Sequence, residues 1–292
     1  MTKPIKRVAA IHDLSGFGRA SLTTIIPILS TMGIQVCPLP TAILSTHSGG
    51  FKEFSFVDLT DSMESYINHW YKLNLDFDCI YSGFLGSTKQ INIVSDFIDK
   101  FKRENTLVVI DPVMADNGLL YDTMDITIVE NMRNLIKKAN IITPNITEAA
   151  YILNEKIDYQ KPIDKKIIKD WLYRLADMGP NIVIITSVLN ENNPKTIDVV
   201  AYDKENQNFW KITSKYLNAF YPGTGDTFTS VLIGSILNGS SLPVALNKST
   251  EFINQSLKVS NEFDYPNREG ILLEKVLSNL NMPILNYSYK SF

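Results

Sequence analysis

The stretch YPGTGDTFTSVLIGSIL, Tyr221 to Leu237, decides how this sequence is read. A turn holding two glycines, Gly223 and Gly225, launches a helix with almost no polar face. One carboxylate, Asp226, stands in its first turn. Glycines open backbone conformations closed to other residues, so successive N–H groups can converge on one point. At a helix start those amides and the helix dipole form an anion site without a Lys or Arg. Asp226 then reads in two ways, as a cap for its own helix or as an acid set beside an anion. A cap accounts for the acid but leaves the two glycines and the buried helix behind them without a reason. An acid beside an anion hole suits a base that takes the proton of a hydroxyl attacking a phosphoryl group. The amides of Gly223, Thr224 and Gly225 would hold the charge that develops.

Working outward, short apolar runs alternate with longer amphipathic stretches. Strands are predicted at 7–11, 34–38, 79–82, 107–111, 141–143 and 182–186, and helices at 20–32, 62–73, 90–103, 126–138 and 163–178. Several strand candidates are continuous Val- and Ile-rich runs, the pattern of a parallel sheet covered on both faces. The β-α-β-α order implies a doubly wound α/β fold, mostly parallel, with helices on both faces. Segments 197–202 and 209–213, split by the polar DKENQN, read as an antiparallel hairpin at the sheet edge. Asn238-Gly239 reads as the end of the glycine-launched helix, and Ser241-Leu-Pro243 as the start of the next. No repeat, low-complexity tract or linker divides the chain, so residues 1–292 read as one domain.

In such a sheet, ligands collect beyond the carboxyl ends of the strands. The unusual polar and glycine residues fall there: 13–18 after the first strand, 46–50 after the second, and Ser82-Gly83 after the third. Asp111 closes the fourth, Thr143-Pro-Asn145 the fifth and Thr186-Ser187 the sixth. Phosphoryl transfer needs a metal to screen the phosphates, and Asp111, Asn145 and Glu148 lie on this rim. Glu148 also reads simply as a first-turn helix acid.

Other chemistries fit less well. IHDLSGFGRAS contains Gly16-x-Gly18, but Ser21 stands where a third glycine would be, and the second strand lacks the acid that would hold a ribose. A plain βα turn or a small-molecule contact loop through Asp13 and Ser15 remains. There is no P-loop, H-E-x-x-H or G-x-S-x-G, and His12, His47 and His69 are too dispersed for a zinc site. A formal charge of −3 with 45% hydrophobic residues argues for a folded chain and against a nucleic-acid coat. Cys37 and Cys79 form no C-x-x-C pair and read as buried reduced thiols. The apolar run near the start is too short for a signal peptide or a membrane span, so a cytoplasmic protein is expected.

PGTGD leading into a buried helix resembles the anion-hole-and-base motif of the ribokinase-like superfamily, and the spacing of Asn145 and Glu148 is similar to its magnesium motif. SGFLGS (82–87), DPVMADNGLLY (111–121), ITPNITEA (142–149) and VIITS (183–187) resemble the vitamin B6 kinase branch: pyridoxal, pyridoxine and pyridoxamine kinases. The resemblance implies an ATP- and Mg²⁺-dependent kinase for the 5′-hydroxymethyl group of a B6 vitamer, with Asp226 as base. It implies Asp111 and Glu148 at the metal, and Asp116, Thr143, Asn145, Thr186 and Ser187 at the ATP phosphates. The segment from Thr213 to Tyr221 would wall the adenine. Residues 116–121 would form a mobile flap with Tyr121 reaching the substrate, while Phe84, Thr46 and the neighbouring His47 would meet the ring, as would Asp13 and Ser15. It also implies a homodimer and leaves room for a monovalent cation.

The first loop departs from this pattern. Many pyridoxal kinases carry Q-S-x-V-x-x-G there, whereas HDLSGFG is closer to the D-x-S-G of hydroxymethylpyrimidine kinases. That sister branch, in turn, usually has Gln at the Thr46 position and often Cys at the Asp226 position. A pyrimidine alcohol is therefore the rival substrate. A non-catalytic nucleotide or vitamin sensor would be expected to lack the acid or the metal residues, and both are present.

Overall fold

The computed structural model describes residues 4–217, 220–282 and 288–292. In chain order the first half comprises β1 (Arg7–Phe17), α1 (Leu22–Thr31), β2 (Gln35–Thr46), β3 (Phe56–Asp58), α2 (Thr60–Lys72), β4 (Cys79–Ser82), α3 (Thr88–Phe101), β5 (Leu107–Ile110), β6 (Ala115–Asp116), β7 (Leu119–Leu120) and α4 (Ile126–Leu135). The second half comprises β8 (Ile141–Ile142), α5 (Ile146–Leu153), α6 (Lys165–Asp177), β9 (Ile182–Leu189), β10 (Thr196–Asp203), β11 (Asn208–Lys215), α7 (Thr224–Leu237), α8 (Leu242–Ser260) and β12 (Lys290–Ser291).

Ten strands form one sheet in the order β12-β11-β10-β9-β8-β5-β4-β1-β2-β3. The six strands expected from their apolar runs pair in parallel at its centre. Both edges are antiparallel: β10, β11 and β12 on one side, and β3 on the other. Successive residues alternate between the two faces. Ala9, Ile11, Val108 and Ile110 enter a core beneath α2 to α6, whereas Val8, Ala10 and Val109 enter one beneath α1, α7 and α8. That two-sided burial is why the parallel strands read as unbroken hydrophobic runs.

Helix α7 is buried from Thr227 to Ser235, wedged between the sheet, α1 and α8. Burying Phe228, Val231, Leu232 and Ile233 contributes about 1.5–3 kcal/mol each. This anchorage makes the start of α7 a rigid platform. Asn238 and Gly239 close it, and Pro243 lies in the first turn of α8.

Several local features differ from the sequence expectation. Strands β1 and β2 continue past the sheet centre, to Phe17 and Thr46, because β2 carries an irregularity opposite His12 to Leu14 and the two then stay paired. The segment 13–17 is thus extended strand rather than loop. The short edge strand β3 and the hairpin β6–β7 were not expected, and the helix α5 was implied only by the alternative reading of Glu148. The hairpin turns on Asn117-Gly118, both at positive φ (51° and 80°), as a two-residue connection requires. Cys79 is buried but Cys37 only partly so, and both thiols are free.

Candidate active site

Strand β1 is flanked by β2 and β4, so the chain leaves it towards one side and returns on the other. This switch point lies at the carboxyl ends of β1 and β4, where a doubly wound sheet opens a crevice. The turn before α7 meets it. Gly223 adopts a left-handed φ of 80°, and a Cβ there would fall 2.2 Å from the Arg19 carbonyl oxygen. Only glycine lets the turn come this close to the β1–α1 connection. Gly49 abuts Pro222 from the β2–β3 loop. Two loops therefore converge on the turn.

Asp226 does not cap its helix. Its Oδ2 accepts the Ser21 main-chain N–H at 2.7 Å, and α7 has no side-chain cap. Among the described residues, no acceptor takes the N–H groups of Thr224, Gly225 or Asp226; the first α7 amide to find one is Thr227, 3.0 Å from the Gly223 carbonyl. Three open donors at the positive end of a helix dipole form an anion site. The Asp226 side chain keeps 13% of its surface exposed. Burial raises its pKa to about 6, with the Ser21 N–H opposing and the nearby Asp13 charge adding. Such a carboxylate is ionised at neutral pH yet a better proton acceptor than an exposed one.

Asp111 and Glu148 complete a line of buried acids. Burial raises Asp111 well above the usual carboxylate range, Asp226 adds to this, and Thr143 partly opposes it. Glu148 is raised chiefly by burial and next by Asp111. Glu148 and Asn145 form a reciprocal cap on α5, with Asn145 N–H to Oε2 at 2.8 Å and Glu148 N–H to Oδ1 at 2.9 Å. The other Glu148 oxygen takes the Met114 N–H at 3.2 Å. The first-turn role left open by the sequence is therefore realised, and the Glu148 carboxylate is fixed by two main-chain N–H groups. The Asn145 amide nitrogen donates to the Ala115 carbonyl at 2.8 Å, so that side chain is committed at both ends.

The remaining expected residues lie around this line. Thr186 bridges to Asn145, and an irregularity in β9 opposite Val199 places Thr186 and Ser187 out of register, Ser187 at φ 62°. Such a bulge re-aims side chains at a strand end. The Thr143 hydroxyl accepts from Thr229 at 3.1 Å. Asp116 sits on β6, where burial raises its pKa. Tyr121 stands close enough to Glu148, Asp116, Asp111 and Asp226 for their charges to add to burial in raising its phenol. On the β1 side, Asp13 is buried and accepts from Ser21 Oγ at 2.5 Å and Ser15 Oγ at 3.2 Å. His47 is buried against Phe51, its Nδ1 accepting the Gly49 N–H at 3.1 Å. The Thr46 hydroxyl is buried with no partner among the described residues, and Phe84 is half-buried on the larger core.

Two residues of the expected adenine wall are engaged within the protein. The Tyr221 ring is 3% exposed, in a cluster with Ile28, Val231 and Phe252, so it faces the interior. The Thr213 hydroxyl is spent on Asp198 at 2.6 Å. Residues 218 and 219 of that segment lie outside the described residues. Sequence reasoning also missed His12, Tyr81 and Ser21. Nothing in their spacing ties them to Asp226, which is far along the chain, and only the fold does so.

A mostly parallel sheet with open amides and an acid at the start of one buried helix defines a ribokinase-like small-molecule kinase. The chain belongs to the phosphomethylpyrimidine kinase family, whose profile matches residues 22–270. It is 30% identical over 244 residues to the pyridoxal kinase of Dictyostelium discoideum, covering 77% of this chain and 76% of the other. A Bacteroides thetaiotaomicron protein with a provisional phosphomethylpyrimidine kinase name, crystallised with pyridoxal, shares 52% identity at a TM-score of 0.95. That match covers 99% of this chain and all of the other. Pyridoxal kinase from Lactobacillus plantarum is 28% identical at a TM-score of 0.84, covering 94% of this chain and 96% of the other.

Proposed function

We propose that this protein transfers the γ-phosphoryl group of ATP to the 5′-hydroxymethyl group of a B6 vitamer, giving the 5′-phosphate. The observation that carries this reading is Asp226 beside three open main-chain donors at one helix start. Asp226 accepts the hydroxyl proton as the oxygen attacks phosphorus. The amides of Thr224, Gly225 and Asp226, backed by the α7 dipole, hold the anionic group being transferred. Residues 116–121 are the segment that would close over the reactants and exclude water.

The donor set suits a divalent cation. The Asp226 charge raises Asp111 and the Asp111 charge raises Glu148, a run of like charges that a counterion would relieve. Among the described residues, no three His, Cys, Asp or Glu side chains could hold one ion together. This agrees with Mg²⁺, which uses one or two carboxylates and completes its shell with water and phosphate oxygens. Asp111 would hold it directly and Glu148, spent on main-chain N–H groups, through water; the ion would supply positive charge to the phosphates.

The family's name and the D-x-S-G loop, with Asp13 buried between two serine donors, favour a second reading in which a hydroxymethylpyrimidine is the acceptor. Purified protein with ATP and Mg²⁺, offered pyridoxal, pyridoxine, pyridoxamine and the pyrimidine alcohol, decides between them by kcat/KM. Turnover of the pyrimidine alone would replace the first reading with the second, and turnover of none would end both. The proposal treats 1–292 as one catalytic unit, working in the cytoplasm as a homodimer. No helix among the described residues is long and apolar enough to cross a membrane. Sedimentation tests the dimer, and exchange of K⁺ for Na⁺ tests a monovalent cation.

A further inference from the structure

We infer that His12 is a positioning residue for the base, holding the Asp226 carboxylate in its working rotamer from beneath. This rests on the kinase reading above. His12 lies within the buried stretch of β1, with none of its surface exposed. Its Nδ1 lies 3.8 Å from Asp226 Oδ1, the oxygen that Ser21 leaves free. The ring has no freedom to turn away. Tyr81 meets it edge-to-face with centroids 4.3 Å apart. On another side, Gly83 gives it room: a Cβ there would fall 2.3 Å from the ring. Any other residue at position 83 would push the imidazole out of its slot.

Among the described residues neither ring nitrogen makes a well-formed hydrogen bond, although the Tyr81 main chain lies close enough to oppose the effect of burial on the ring. A buried N–H without a partner is costly, and the carboxylate oxygen of Asp226 is the anionic acceptor that faces it. Burial keeps the imidazole uncharged, so it presents a dipole and not a competing cation. A neutral donor steers the carboxylate without neutralising it, which a Lys or a charged His at the same place would do. Tyr81 extends this floor, because its phenol lies near Thr229, and Thr229 in turn donates to Thr143 beside Asp111. Base and metal-side acid therefore rest on one buried polar layer.

The test compares His12→Phe, His12→Asn and His12→Gln in the full-length protein, with ATP affinity and thermal melting as controls for folding. Phe fills the slot without a donor, and kcat should fall roughly 10- to 100-fold with ATP affinity unchanged. Asn can place an amide N–H where Nδ1 stands, and Gln places it where Nε2 stands, so Asn should restore turnover and Gln should not. The His12→Phe change should also cost nothing further in an Asp226→Asn background, because the base it positions is already gone. Equal behaviour of Asn and Gln, wild-type kcat in the Phe variant, or full additivity with Asp226→Asn would overturn the inference. An inactive wild-type protein would instead overturn the kinase reading, so the two failures are separable.

Discussion

The main-chain N–H of Ser21 donates to the Asp226 carboxylate at 2.7 Å, tying the approach to α1 to the start of α7 across 205 positions of sequence. The hydroxyl of the same residue donates to Asp13. Ser21 does this at a φ of 51°, in the left-handed region where a serine is strained. Strain of this kind persists only where the surroundings over-determine it, and it gathers at functional sites. Replacing Ser21 by Ala keeps the N–H but strips Asp13 of its shortest donor, leaving a buried carboxylate under-satisfied. Stability should fall by about 1–3 kcal/mol in denaturant titrations. The acceptor KM should rise more than kcat falls, because the base itself keeps its donor. Unchanged stability would show that Asp13 has found water in place of the hydroxyl.

Asp226→Asn separates chemistry from architecture. An amide cannot take the hydroxyl proton, so kcat should drop by roughly two to four orders of magnitude while ATP still binds. The same change removes a buried charge. The Asp226 pKa moves from 3.8 to about 6 on folding, so the folded state binds its proton more tightly than the unfolded chain. Stability from this group thus declines as pH rises through that window, and the loss is complete above it. At neutral pH the Asn variant should therefore melt higher, by at most about 3 kcal/mol, and the gain should vanish below pH 4. A variant that melts lower at pH 7 would show that the charge is stabilised by partners beyond Ser21.

The pH dependence of catalysis follows from the same group. A base must be deprotonated to work, so kcat/KM for the acceptor should fall on the acid side, with an apparent pKa near 6 in the free enzyme. Burial is the main cause, opposed by the Ser21 N–H and assisted by the charge of Asp13. Asp13→Asn should accordingly move the acid limb to lower pH. An acid limb that stays in place would remove Asp13 from the electrostatics of the base.

The strands were legible because a sheet buried on both faces leaves unbroken Val and Ile runs, as in Leu107–Ile110, whose last three residues are fully buried. What escaped was structure whose cause lies elsewhere in the chain. Strand β3 is three exposed residues held by pairing with β2 and by Asp58, which accepts from Thr60 and Gln90. Helix α5 follows a two-residue strand, and its Asn145-x-x-Glu148 signal belongs equally to a helix cap and to a metal motif. Here the cap is what the side chains build. Asn117-Gly118 could have announced the β6–β7 hairpin, since that pair is the commonest two-residue turn. His12 had no local signal at all: a lone histidine within a strand acquires meaning only when Tyr81, Gly83 and Asp226 surround it.

The two glycines of the turn should fail in different ways. A Cβ on Gly223 would meet the Arg19 carbonyl at 2.2 Å from a left-handed backbone, so nothing flexible can yield. Gly223→Ala should cost about 2–5 kcal/mol, the sum of the conformational and overpacking penalties. A Cβ on Gly225 meets only Asp111 Oδ2, at an ordinary 3.7 Å, from a normal helical position. Gly225→Ala should therefore fold with a melting temperature at or above the wild type, since Ala favours helix by about 1 kcal/mol over Gly. Its methyl group, however, would stand between the open amides and Asp111, where the transferring group must pass, and kcat should fall roughly tenfold or more. A Gly225→Ala variant with both full stability and full turnover would place the phosphoryl group somewhere other than this turn.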